Sequence, residues 1–174
     1  MLPRIWERNP AEGQRRLDEL RELTRGALAE MRTLLLELRP SALVEARLGD
    51  LLRQLGESIT GRARVPVSVE VEGECQVPVE VKVAFYRIAQ EALNNVAKHA
   101  GASEVTVRLD CAPGRAALSI DDDGGGFDAT HTPPDHLGLG IMRERADDIG
   151  ATLAIDSEPG AGTQIKILWR QSVP

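Results

Sequence analysis

Cysteine is scarce: Cys75 and Cys111 are the only two in 174 residues, and they lie in unrelated contexts with neither a CxxC spacing nor a zinc-ligand pattern. Both read as reduced packing residues. Long apolar runs are missing too. Nowhere do about 18 hydrophobic residues follow one another, as a membrane helix requires, and Met1-Leu2-Pro3-Arg4-Ile5-Trp6 lacks the hydrophobic core of a signal peptide. Nor is there an excess of positive charge. With 21 Lys and Arg against 27 Asp and Glu, the net charge is -6, so no broad basic field draws in nucleic acid or anionic lipid. The expectation is a soluble, cytoplasmic piece, compatible with a membrane anchor elsewhere in a longer protein.

At 42% hydrophobic and 28% charged, the chain has enough residues for one core with an appendage. The appendage comes first. Leu17, Leu20, Thr24, Ala27, Met31, Leu34 and Leu38 form a heptad seam, widened by Leu23, Leu28 and Leu35, which suits packing against partner helices and a possible homodimer. The alternative is a helix lying on its own domain. Arg39-Pro40 ends that helix, and Leu48, Leu51, Leu52, Leu55 and Ile59 mark a second, with Gly61 placed to terminate it. The boundary between the helical region and the main domain falls at residues 1–61 and 62–174.

From Val65 the period becomes two, with Val67, Val69 and Val71 marking a half-buried strand. Pro78 opens a long amphipathic helix over 79–100. Strands follow over 104–110 and 115–120, turned by Pro113-Gly114, then a glycine-rich loop, a helix over about 139–149, and strands over 152–156 and 163–169. This order predicts an α+β, two-layer sandwich: a mostly antiparallel sheet with helices on one face.

Three features carry chemistry. On the long helix Glu91, Asn95 and Lys98 fall within an arc of roughly 60°, presenting a carboxylate, an amide oxygen and an ammonium suited to a proton or water, a hard cation and a phosphate. A solvated face with ion pairs is the alternative. Second, Asp121-Asp122-Asp123-Gly124-Gly125-Gly126-Phe127 leaves an apolar strand, where a carboxylate can accept from an exocyclic amine and glycines allow close approach. A calcium loop fails, because its fifth and twelfth positions would be Gly125 and Thr132; a plain acidic turn stays open. Third, Gly138-Leu139-Gly140 opens a helix with Arg143 and Arg145 one turn inside, a way to meet phosphate without net positive charge. Gly160-Ala161-Gly162-Thr163 is compatible with a tight hairpin.

In this order the segments resemble the ATP-site boxes of the family grouping gyrase, chaperone, histidine-kinase and mismatch-repair ATPases (the GHKL, or Bergerat, fold). Residues Gln90 to Ala100 look like its N box, Asp122 to Phe127 and Gly138 to Ala146 like its glycine boxes, and Gly160 to Thr163 like its closing GxGT. The N box and Gly140-Ile141-Met142-Arg143-Glu144-Arg145-Ala146 are similar to the nitrate-sensor and desaturase-sensor class of bacterial sensor histidine kinases. The resemblance implies ATP and Mg²⁺ as ligands, with Asn95 holding the metal and Asp122 recognising the adenine amine beside Thr163. Lys98, His99 and the backbone of Gly138, Leu139 and Gly140 would approach the phosphates. Gly124, Gly126 and Phe127 would shape the first box, Glu91 would assist the chemistry, and residues 128–136 would form a lid. It implies the family's sandwich over about 65–169.

The segment from Ala27 to Pro40 resembles the second helix of that class's dimerisation hairpin, but no histidine precedes His99, so the phosphoacceptor helix is expected to be missing and autophosphorylation is not expected. A response-regulator receiver domain is the implied partner. His131 and His136 form no standard metal pair. Two rival readings are an anti-sigma-factor serine kinase, against which the seam and Leu38-Arg39-Pro40 speak, and a nucleotide-responsive dimerisation module without catalysis.

Overall fold

The computed structural model describes residues 12–17, 20–21, 24, 28, 31, 40–128 and 137–171. The described residues before Pro40 are helical. Of the heptad seam, Ala27, Leu34 and Leu38 lie outside the described residues, while Leu20 and Met31 are exposed. His131, His136 and residues 129–136 of the expected lid also lie outside them.

The main domain is built from α1 (Pro40–Glu45), α2 (Leu48–Ala63), β1 (Val67–Glu72), α3 (Val79–Asn95), β2 (Val105–Ala112), β3 (Arg115–Asp122), α4 (Leu137–Asp148), β4 (Thr152–Ser157) and β5 (Thr163–Arg170). The sheet order is β1-β2-β3-β5-β4. Among the described residues only the β1 and β2 pair is parallel, and the other three pairings are antiparallel. This is the expected mixed sandwich. Alternation along β2 and β3 buries Val105, Val107, Leu109, Ala116, Leu118 and Ile120 under the helices, because successive strand residues face opposite sides.

Helix α3 is the central rod. Its stripe of Phe85, Ile88, Ala89 and Ala92 is at most 2% exposed and meets Leu52, Leu55 and Ile59 of α2 and Met142 and Ala146 of α4 in one core. Burial of that apolar stripe supplies most of the helix's stability. Helix α2 approaches β1 through Gly49 and Gly56, where a Cβ would come to 3.1 Å from the side chains of Val71 and of Val67 and Val69 respectively.

Three expectations need correction. Gly61 does not terminate α2. The helix runs to Ala63 and closes on Arg64, left-handed at φ 58°, whose N–H donates to the Thr60 carbonyl at 3.0 Å; the wide left-handed capping preference of glycine is taken by a residue three positions later. The 79–100 helix is not uniform, since Val96–Ala100 widens into a π turn that ends on left-handed Gly101.

The cysteines are not two free thiols: Cys75 and Cys111 form a disulfide, with Cα atoms 5.0 Å apart, inside the usual range for the bond. The cause is the parallel pairing of β1 and β2. Glu72 pairs with Asp110, so the chain leaving β1 passes over Cys111, close enough that a Cβ on Gly73 would collide with the Cys111 carbonyl oxygen.

Candidate functional site

The site forms where the C-terminal end of α3 meets the end of β3. Ala92, Val96, Ala100, Ile120, Leu139 and Ile165 supply an apolar wall to a cavity whose polar rim holds Asn95, His99, Asp122 and Thr163, with Phe127 at its side. These residues come from α3 and its π turn, β3, the glycine loop, α4 and β5. The sheet register brings two of them together directly, since Asp122 of β3 pairs with Thr163 of β5.

The π turn decides which of Lys98 and His99 faces the cavity. A wider turn rotates less per residue than an α-helix, so the face shared by Glu91 and Asn95 is not simply continued to Lys98. His99 lines the cavity, whereas Lys98 is exposed and outside its wall. Glu91 lies against the start of α4: a Cβ on Gly138 would collide with its carboxylate. Thus Gly138 is glycine because α3 passes close by. Gly140, where a Cβ would meet nothing within 4 Å, has no packing reason of that kind.

The three consecutive aspartates have three different placements. Asp121 points to the outer sheet face, where Gln164 Nε2 donates to it and Arg108 Nη1 lies 3.7 Å away. Asp123 latches the glycine loop to the start of β2, accepting from the N–H groups of Ser103 at 2.7 Å and Glu104 at 3.0 Å and from the Ser103 hydroxyl. Asp122 alone reaches the cavity, its Oδ1 accepting from the Gly124 N–H at 3.0 Å.

Their acidities diverge accordingly. Burial pushes the Asp122 carboxyl above its ordinary value; hydrogen bonds from the Gly124 and Thr163 backbone pull against that shift, and the Asp123 and Asp121 charges add to it. The Ser103 hydroxyl, helped by the Glu104 and Ser103 backbone, holds Asp123 below its ordinary value. A raised acid makes the folded state bind more protons, so Asp122 detracts from stability above its folded pKa, and the loss is relieved as pH falls towards 3.8. A lowered acid does the reverse: Asp123 contributes stability above 3.8 and loses it as pH falls through its folded pKa. Asp123→Asn is therefore expected to lower the melting temperature at pH 7 with a shrinking difference in acid, whereas Asp122→Asn does not lower it at pH 7. Thermal melts between pH 3 and 7 check both signs.

The two glycine loops interlock. Gly160 N–H donates to the Gly125 carbonyl at 2.6 Å, and Gly125 N–H to the Ala100 carbonyl at the end of the π turn at 2.7 Å. Gly124 sits against that same carbonyl, and a Cβ would come within 2.5 Å of it. Gly126 (φ 58°) and Gly162 (φ 79°) are left-handed, and a Cβ on them would collide with the carbonyl oxygens of Glu158 and Asp122 respectively. Ser157 joins the junction, its hydroxyl accepting from Phe127 N–H at 2.9 Å, donating to the Gly162 carbonyl at 3.0 Å and lying 3.1 Å from Thr163 Oγ1.

Reasoning on sequence missed Ser157 and, Leu139 apart, the apolar wall. Ser157 closes a strand with no motif around it, and the wall residues look like ordinary core. An alternation in β3 that buries Ile120 just before a strand-end carboxylate was the available signal.

Comparison with known proteins follows the same segments. A family model described as histidine kinase-, DNA gyrase B- and HSP90-like ATPase matches residues 80–172, which hold the whole cavity wall. The chain belongs to that ATPase family. Residues 1–43 match a second family model, described as histidine kinase. The sensor protein VraS of Staphylococcus saprophyticus is 36% identical over 148 residues, covering 85% of this chain and 42% of VraS; VraS of Staphylococcus aureus strain COL is 35% identical over the same length. The chain spans less than half the length of these curated relatives.

Among solved structures, the histidine kinase domain of the blue-light activated histidine kinase EL346 of Erythrobacter litoralis is 27% identical, with a TM-score of 0.57 over 71% of this chain and 64% of that one. The mycobacterial sensor histidine kinase MprB has the same fold: 22% identity, TM-score 0.55, and coverage of 74% and 97%. Members of this family bind ATP, and the cavity at the end of α3 lies within the matched segment. Among the described residues no helix is long and apolar enough to cross a membrane.

Proposed function

We propose that this chain is the ATP-binding catalytic part of a bacterial two-component sensor histidine kinase, acting in the cytoplasm, whose γ-phosphoryl group passes to a histidine and then to a response-regulator receiver domain. The observation that carries the reading is the convergence of Asn95, His99, Asp122, Phe127, Leu139 and Thr163 on one cavity. In this reading the adenine ring enters between the apolar wall residues, and its exocyclic amine donates to the Asp122 carboxylate, with Thr163 beside it. The triphosphate extends towards the start of α4, where Gly138, Leu139 and Gly140 offer backbone N–H groups and the helix end favours negative charge. His99 approaches from the cavity side and Lys98 from solvent.

The residues present fit a hard cation. Mg²⁺ is usually held by one or two protein oxygens together with phosphate oxygens and water, and Asn95 offers an amide oxygen on the cavity rim. Bound there, the cation would neutralise charge on the transferring phosphoryl group. Glu91, whose carboxylate lies at the start of α4, is placed to polarise the attacking group, and the rest of the catalysis is positioning. The helical region before Pro40 would form a homodimer interface.

Phosphotransfer tests the reading. The chain is incubated with labelled Mg-ATP, alone and with a separately supplied hairpin bearing the phosphoacceptor histidine. The expected result is no label on the chain alone and slow, acid-labile, base-stable label on the hairpin, slow because the tether that raises local concentration is absent. Acid-stable label on serine, or no label on the hairpin, would contradict it.

A further inference from the structure

Helix α1 ends without a cation of its own, having no basic residue in its last turn, so its final carbonyls need outside donors. The donor comes from another helix. Lys82, in the first turn of α3, donates its ammonium to the carbonyls of Val44 at 2.6 Å and Ala46 at 3.0 Å, across 38 and 36 residues of sequence. Leu43 is buried in the core at 2% exposure, while Val44 is 42% exposed. One apolar side chain and one ammonium therefore pin the stretch that joins the N-terminal region to the ATP-binding domain.

What Lys82 stands on matters as much. Helix α3 runs unbroken from Val79 to Asn95, so Lys82 and Asn95 are the two ends of one rigid rod about 20 Å apart at 1.5 Å per residue. Near the far end, Arg62 of α2 donates to Asn94 Oδ1 at 2.6 Å, beside Asn95. The α1–α2 segment is thus braced on α3 close to both of its ends. Residues 1–43, matched by the histidine-kinase model, enter the domain at the end that Lys82 holds.

We infer that Lys82 is a positioning residue for phosphoryl transfer: by holding the carbonyls of residues 44 and 46, it fixes the direction in which the N-terminal helical region leaves the domain relative to α3. The γ-phosphate and the acceptor histidine can meet only if that direction is set, and misplacement of reacting groups by about 1 Å can cost on the order of a hundredfold in rate. Lys82 touches neither the cavity nor the nucleotide, so its removal alters the transfer step and leaves binding alone. The inference rests on the kinase reading proposed above.

The test uses the full-length kinase with its histidine-bearing helix, as wild type, Lys82→Met and Lys82→Arg. Methionine keeps the apolar stem and lacks the donor; arginine can still bridge two carbonyls. For Lys82→Met the expected result is a tenfold or greater fall in autophosphorylation kcat, with KM for ATP and Kd for ADP within twofold of wild type, and at least half of the wild-type kcat restored in Lys82→Arg. An unchanged kcat in Lys82→Met overturns the inference and leaves the kinase reading intact. So does a weakening of ADP binding by the same factor as kcat, which marks a general structural role. Failure of the wild type to label its histidine removes the kinase reading and the inference together.

Discussion

Reduction of the Cys75–Cys111 disulfide, or Cys75→Ser, is expected to lower the stability of the domain by roughly 3 to 4 kcal/mol, a fall in melting temperature of about 10 °C or more. The bond spans 36 residues, and opening it returns to the unfolded chain the freedom of a loop of that length. The loop contains the whole of α3, the π turn and β2 as far as Cys111, so the link ties the chain leaving the parallel edge strand to the neighbouring strand of the sheet. Parallel pairing needs a long crossover, and covalent closure of that crossover is where a crosslink matters most. Melts in the presence and absence of a thiol reductant measure the effect, with Cys75→Ser as the control that no longer responds. A melting temperature indifferent to reductant in the wild type would mean the pair is not bonded in solution. Reducing cytoplasm disfavours structural disulfides, so the same measurement states how much stability the domain has in the compartment proposed for it.

Gly162→Ala should cost the site directly. Gly162 is left-handed, and an added Cβ collides with the Asp122 carbonyl oxygen, a backbone atom that cannot rotate aside as a side chain would. A left-handed alanine adds roughly 1 kcal/mol or more of conformational strain, and the displacement falls on the strand end that carries Asp122 and on the pairing of Asp122 with Thr163. The expected result is a tenfold or greater loss of ADP affinity, with a fall in stability of about 1 to 3 kcal/mol. Gly140→Ala, where a Cβ meets nothing, is the companion variant and is expected to leave stability within about 0.5 kcal/mol of wild type. Equal effects of the two would remove the argument from close approach.

Much of the fold was legible because its elements alternate between periods of two and 3.6. Val67, Val69 and Val71, the α3 stripe from Phe85 to Ala92, and the run from Ala116 to Ile120 each declared an element whose observed span differs by only a few residues. Less legible was whatever depends on which elements meet. The disulfide follows from a parallel pairing between strands some 38 residues apart, which no local pattern encodes. The end of α2 at Arg64 instead of Gly61 is a choice between two nearby C-terminal signals. The π turn at Val96–Ala100 leaves no mark on an apolar periodicity that is already ending, yet it sets His99 into the cavity wall and Lys98 outside it.

Within the site, Asp121, Asp122 and Asp123 are chemically identical in sequence. Strand alternation separates the first from the second, since Asp121 must face away from the helices. Only the fold of the loop shows that Asp123 is consumed by Ser103 and Glu104. The glycines divide in the same manner. Gly126, Gly138 and Gly162 are required by close backbone or carboxylate neighbours, Gly140 is not, and a motif spelled in letters treats them alike.

The central claim is that a nucleotide lies in the cavity with its adenine amine on Asp122, and calorimetric titration of ADP into the wild type and Asp122→Asn tests it most directly. In the variant the amide oxygen is expected to stay on the Gly124 N–H, as Asp122 Oδ1 does now, turning the amide nitrogen towards the adenine amine so that two donors face each other. A hydrogen bond to a charged group is worth about 1.5 to 3 kcal/mol, so the account predicts saturable one-site binding to the wild type and affinity weaker by roughly 10- to 100-fold in the variant, with no loss of thermal stability. Equal ADP affinity in the two proteins would contradict it.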